Sequence, residues 1–335
     1  MHRVVTAAPN RMAWTYVSGL ASALDTRLLS HRAALELAAA EGLREAAARV
    51  RQTLMFAGLP DTDDPFAILD AMQDAYAAVV RRIAEASPSR ALGELFLLPI
   101  EWEAFRAFLR EKALGLERLM VPGAATPEGA WEQCWAGRAA EPGLEPFAEA
   151  AAAIRAAGSA EERTTQLVEG VTHVFEAQQL RQTARELGSP RVAAWVEGWL
   201  NLRLALALLR CRANQWAGIL DPEAFEGLGE ARQALLALAG GEERRDWRPA
   251  FAALGLAAAQ GVADDDAPAT IERLIDDWMT AAAHAGRAEA FGPEPVFAFL
   301  WALRVEALNL RTILAGVAVG LPSEAIAAEV RSTYA

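Results

Sequence analysis

Apolar positions recur every three to four residues along almost the whole chain, the spacing of one face of an α-helix. They mark amphipathic stretches at 10–30, 41–57, 65–86, 99–115, 127–137, 145–157, 160–186, 190–213, 222–238, 245–260, 268–285, 293–316 and 322–333. No segment alternates with the period of two that a half-buried strand requires. The pattern therefore predicts an all-α protein. Several stretches open on N-cap chemistry: Asp-Pro at Asp64 and Asp221, Thr126 before Pro-Glu, Ser159 before Ala-Glu-Glu, and Ser323 before Glu. Gly115 and Gly320 fall where helices end in a left-handed glycine. Gly/Pro-rich or charged linkers are expected at 120–129 and 239–249, and a further loop at 261–270.

The pattern breaks in one informative place. The stretch RVEALNLRTILAGVAVGLPSEAIAAEV (304–330) is apolar nearly all round, yet Glu306 lies in it, on the same helical face as Leu303, Leu310 and Ile313. A carboxylate is expensive to bury without a partner. Shifted back 205 positions, Glu306 falls on Glu101, Leu310 on Phe105, Arg311 on Arg106, Ile313 on Phe108, Gly320 on Gly115 and Leu321 on Leu116. A third, more degenerate copy, WLNLRLALALLRCR, places Asn201 on Glu101 and Leu208 on Phe108. One polar residue is thus planted in the apolar face of three helices about 100 residues apart, with Arg106 and Arg311 on the far side. The repeat divides the chain into units at 1–119, 120–225 and 226–335. A catalytic carboxylate has no reason to recur on three units. Glu101, Asn201 and Glu306 are therefore expected to be structural, bonded to a neighbouring helix or to backbone amides, with Asn309 one turn on as local help for Glu306.

Composition narrows the possible partners. Apolar residues make up 53% and charged residues 23% of 335 positions, enough for a large core. A net charge of −12 repels phosphate backbones and anionic lipid, so nucleic acid is not an expected partner. Lys112 is the only lysine, a bias we attribute to coding composition. Cys134 and Cys211 are too few and too far apart for a disulfide framework and are expected to be buried thiols. The start, MHRVVTAAPNRM, has no signal-peptide apolar region, and the longest uncharged run, 249–263, is too short and too alanine-rich to span a bilayer. The chain is expected to be soluble and to meet a membrane only through a partner.

The C-terminal stretch, 291–335, resembles the end of the C subunit of V-type and archaeal-type rotary ATPases, the counterpart of eukaryotic subunit d. The shared pattern is a G-x-x-P opening (Gly292, Pro295), an E-x-x-N-L-R-x-I-L-x-G helix (Glu306, Asn309, Leu310, Arg311, Ile313, Leu314, Gly316), then G-L-P-x-E-x-I (Gly320, Leu321, Pro322, Glu324, Ile326) and a final Arg331 and Tyr334. The first helices, with Tyr16, Arg27, Leu28 and Leu29, and the stretch LFLLPIEWEAFRAFLREKALGL look like the same family. The chain departs from the pattern at Ala104, Leu303 and Val317, where the family usually shows Asn, an acid and Lys. The resemblance implies a funnel of three pseudo-threefold helical units without an active site or cofactor. It implies partners too: the membrane proteolipid ring, central-stalk shaft subunits of the D and F type, and the membrane stator subunit. It further implies a place on the cytoplasmic face of the membrane and a role in passing torque for ATP-coupled proton or sodium transport.

Other chemistry fits less well. An isoprenoid-synthase magnesium site needs acids one turn apart, and DTDDP (61–65), DDDAP (264–268) and IDDW (275–278) lack that spacing. His173 and Glu176 share a helix face but have no second histidine nearby. A phosphate-binding P-loop is excluded, because Lys112 stands in REKA, and GLGEAR (227–232) lacks the third glycine of a dinucleotide loop. The ten tryptophans are spaced singly, as core or interface anchors are. The alternative to the rotor reading is a helical adaptor or scaffold with other soluble partners.

Overall fold

The structure, a computed structural model, describes residues 10–53, 55–117, 120–139, 141–157, 164–210, 246–264 and 267–334. Among the described residues the chain forms thirteen α-helices and no strand, so it is all-α. We number them α1 (Thr15–Asp25), α2 (His31–Ala38), α3 (Leu43–Val50), α4 (Pro65–Ala86), α5 (Ala91–Leu114), α6 (Glu128–Trp135), α7 (Glu145–Ala156), α8 (Thr165–Glu186), α9 (Pro190–Arg210), α10 (Arg248–Ala253), α11 (Ala267–His284), α12 (Pro293–Ala318) and α13 (Ser323–Glu329). The predicted helix at 222–238, the starts at Asp221 and Ser159, the GLGEAR loop and Cys211 lie outside the described residues.

Local chemistry sets most boundaries. Asp64 caps α4, its carboxylate accepting the Phe66 amide at 2.9 Å with Pro65 in the first turn. Gly320 (φ 72°) ends α12 in a Schellman motif: its amide donates to Val317 and the Leu321 amide to Gly316. Gly115 (φ 65°) ends α5 by donating to Glu111. Two expected caps differ. α6 and α13 start from Pro127 and Pro322 without a side-chain cap, so Thr126 and Ser323 do not serve as one. The expected helix at 99–115 begins at Ala91 and runs through Pro99. A proline inside an apolar pattern reads as a start, but packing holds this helix through it. The short helix α2, capped by Ser30, falls in a gap of the predicted pattern because eight residues carry too little periodicity to register.

The chain clusters into two compact units, one of Met1–Leu97, Thr183–Trp195 and Asp276–Ala335, the other of Leu98–Gln182 and Val196–Ile275. In the first, α12 is the central element and packs against α1, α2, α3, α4 and α13. Residues from Pro293 to Leu303 are all buried, which is why this helix is apolar all round. Gly316 lets α13 close on it: a Cβ there would lie 2.7 Å from Ile326 Cγ1. Gly93 does the same between α5 and α4, where a Cβ would lie 2.3 Å from the Ala84 Cβ. Ala84 has no rotamer by which to yield, so Gly93→Ala is expected to cost about 1–3 kcal/mol, measured as a fall in melting temperature.

In the second unit Trp102, Phe105, Phe108, Trp131 and Phe147 form an aromatic cluster among α5, α6 and α7. Cys134 is buried here as a free thiol, and burial pushes it up to about 11. The helix α9 is long and apolar enough to cross a membrane by length and composition, but 56% of its most apolar window is buried inside the protein, as in a core helix.

Candidate functional site: the polar positions of the repeat helices

The five polar residues singled out fall into four settings. Glu306 is 3% exposed on the α12 face toward α2, and its Oε2 accepts the Leu29 amide at 3.1 Å. Glu101, half-buried on α5, accepts the Ala125 amide at 2.6 Å and the Thr126 amide at 3.2 Å, one on each oxygen. In both cases the acid holds the backbone two or three residues ahead of an eight-residue helix, α2 or α6. Asn201 differs: its Oδ1 accepts from Arg181 Nη2 at 2.8 Å, and Arg181 also donates to Glu197 at 3.0 Å. Burial pushes the Glu306 carboxyl up to about 7, opposed only by the Leu29 amide.

Asn309 does not assist Glu306. Its amide closes a two-way bond with the backbone of Arg331, donating to the carbonyl at 3.0 Å and accepting the amide at 2.8 Å. The rest of the C-terminal motif serves the same end. Arg331 donates to the buried Asp276 at 2.6 Å, which also faces Arg304 at 3.3 Å. The neighbouring Asp277 accepts the Ser332 amide at 2.7 Å. Tyr334 donates to the Ala298 carbonyl, stacks on His284 at 5.2 Å and carries the Arg287 guanidinium 4.7 Å above its ring. The motif residues are thus a set of fastenings for the C-terminal tail, and the IDDW acids are among them. Arg311 is exposed and bonds Gln73 at 3.2 Å.

The other acid clusters are absorbed in the same manner. Asp61 and Asp63 pair with Arg51 and Arg44, and Asp264 accepts from the Trp247 indole at 2.8 Å. His173 stands 3.5 Å from Glu176 and 3.8 Å from Glu169 on α8. Among the described residues no group of three or more His, Cys, Asp or Glu side chains is placed to hold a metal ion.

The repeat did not reveal a buried ion pair on the same helix. Arg106, on the far side of α5 from Glu101, is buried against α8 and donates to Glu176 at 2.7 Å and to Glu103 at 2.9 Å. Burial alone would raise the Glu176 carboxyl, but the Arg106 charge and the His173 contact hold it well below the usual range. Beside this pair an open cleft is lined by His173, Glu176, Arg181, Leu200, Arg203 and Leu204. The i, i+3 spacing of Glu103 and Arg106 was a visible signal that this face carries charge, but Glu176 is 70 residues away and had none.

No curated protein matched the chain in a sequence comparison. A family model described as ATP synthase (C/AC39) subunit matches residues 17–329, nearly the whole chain. The chain therefore belongs to the ATP synthase C/AC39 subunit family.

Proposed function

We propose that this chain is the non-catalytic rotor socket of a V-type or archaeal-type ATPase, linking the central-stalk shaft to the proteolipid ring and passing torque between them at the cytoplasmic face of the membrane. Its family membership carries the reading. The three-unit division at 1–119, 120–225 and 226–335 belongs to the same proposal. In its support, α4 and α8 both have 22 residues and start 100 positions apart, and each is followed by a long helix bearing a polar repeat position. Glu101, Asn201, Glu306, Asn309 and Arg311 act here as fastenings rather than as reactive groups. A coupling element needs stiffness, and closely packed helices with tied-down ends transmit strain. The partners are the proteolipid ring, D- and F-type shaft subunits and the membrane stator subunit, with no nucleic acid and no small-molecule substrate.

The test is affinity capture of the tagged chain from gently solubilised membranes of its native host, read by mass spectrometry. Proteolipid, central-stalk and ATPase head subunits are expected together. Recovery of soluble proteins alone would overturn the reading in favour of a scaffold.

A further inference from the structure

The two acid latches are not equivalent. Glu101 is half-buried with both oxygens bonded. Glu306 is almost wholly buried, with Oε2 on the Leu29 amide and Oε1 without a hydrogen-bond partner. Among the described residues no cation pairs with it, because the charged groups on the elements around α12 are otherwise engaged or at the surface. Asp25 of α1 is held by Arg287, Arg32 of α2 by Glu36, and Arg44 and Arg49 of α3 by Asp63 and Glu45. On α12 and the tail, Arg304 and Arg331 share Asp276. Asp70, Asp74, Arg82 and Glu85 of α4, Glu324 and Glu329 of α13, and Arg27 are exposed, and Arg81 is half-buried. His31 of α2 and Tyr76 of α4 each have a buried polar atom without a hydrogen-bond partner.

We propose that Glu306 is a proton-operated latch: the protonated acid holds the turn at 26–30 and the start of α2 on α12, and loss of the proton releases them. The bare oxygen is the reason. An anion there, almost wholly buried, faces one amide and no cation among the described residues, whereas a neutral acid leaves only a polar group imperfectly paired, which costs far less. Burial acts the same way, raising the carboxyl to about 7. The closed state binds the proton more tightly than the open one, so closure weakens as pH rises from the ordinary glutamate range to about 7 and changes little above it. The property belongs to the chain itself and does not depend on the rotor reading.

Hydrogen exchange of the full chain tests it, with rates corrected for their intrinsic pH dependence. Protection of peptides spanning 26–33 is expected to fall about tenfold between about pH 6 and about pH 8.5. The fall should vanish in Glu306→Gln and persist in His31→Gln, which removes the histidine nearest to Leu29 in sequence. Invariant protection in the wild type, a fall that survives in Glu306→Gln, or one abolished by His31→Gln overturns the proposal. If Glu306→Gln does not fold, the wild type and His31→Gln decide: a fall present in both supports the latch, and its absence from either refutes it.

Discussion

Replacing Arg106 by methionine is expected to destabilise the chain by about 3–5 kcal/mol, among the largest effects of any single substitution in it. Arg106 and Glu176 are each 5% exposed in their side chains and lie 2.7 Å apart. Removing the cation leaves Glu176 buried without its closest partner, with His173 at 3.5 Å and the Arg203 charge as its remaining support. Glu176→Gln should cost less, about 1–3 kcal/mol, because Arg106 keeps Glu103. The double substitution Arg106→Met, Glu176→Met should recover much of the loss, since two apolar side chains fill the site without an unpaired charge. The pH dependence has a definite sign. In the wild type the folded-state carboxyl of Glu176 is depressed, so its contribution is present above the ordinary glutamate range and is lost as pH falls through the depressed value. In Arg106→Met the buried acid prefers its proton, so the gap between variant and wild type should narrow on acidification. Urea titrations followed by tryptophan fluorescence at about pH 7 and about pH 4.5 read both effects. A gap that is unchanged or wider at the lower pH would show that Glu176 is not the charge left stranded.

The contrast between Arg106 and Arg311 shows what the sequence could carry. The two residues align in the repeat and both lie opposite an acid on the helical wheel. Arg311 is at the surface with Gln73, whereas Arg106 is under α8 with Glu176. The wheel locates a residue on its own helix and says nothing of what covers the opposite face. The same limit applied at Glu306 and Asn309. One turn apart on the helix, they bond different segments, the turn before α2 and the tail at Arg331. Long periodic helices such as α4 were legible to the residue, as were the terminal glycines of α5 and α12. The partners were not, because each lies 20 or more residues away and no local pattern encodes that distance. The tail motif was legible as a pattern but not as a purpose until Asp276, Asp277 and Ala298 were seen to receive it.

Phe105→Ala is expected to cost about 3–5 kcal/mol. The side chain has no exposed surface and sits among four aromatic rings, 5.0 Å from Trp131, 5.2 Å from Phe147, 5.9 Å from Trp102 and 6.1 Å from Phe108. Truncation removes the transfer free energy of the ring and leaves a cavity that three α-helices would have to move to close. The edge-to-face pairs with Trp102 and Phe147 add to the loss, though not additively, because Trp102 and Phe147 also stack on each other at 4.2 Å and can remain so. Phe105→Leu is the informative companion. Leucine is what the repeat places at the matching position, Leu310, 1% exposed on α12. If the repeated unit tolerates either shape, Phe105→Leu should cost less than about 1.5 kcal/mol, and the alanine variant should stand well apart from it. Thermal melts of the two variants against wild type separate the cases. Equal losses in both would mean that the ring itself, through its neighbours Trp102, Trp131 and Phe147, holds α5 to α6 and α7.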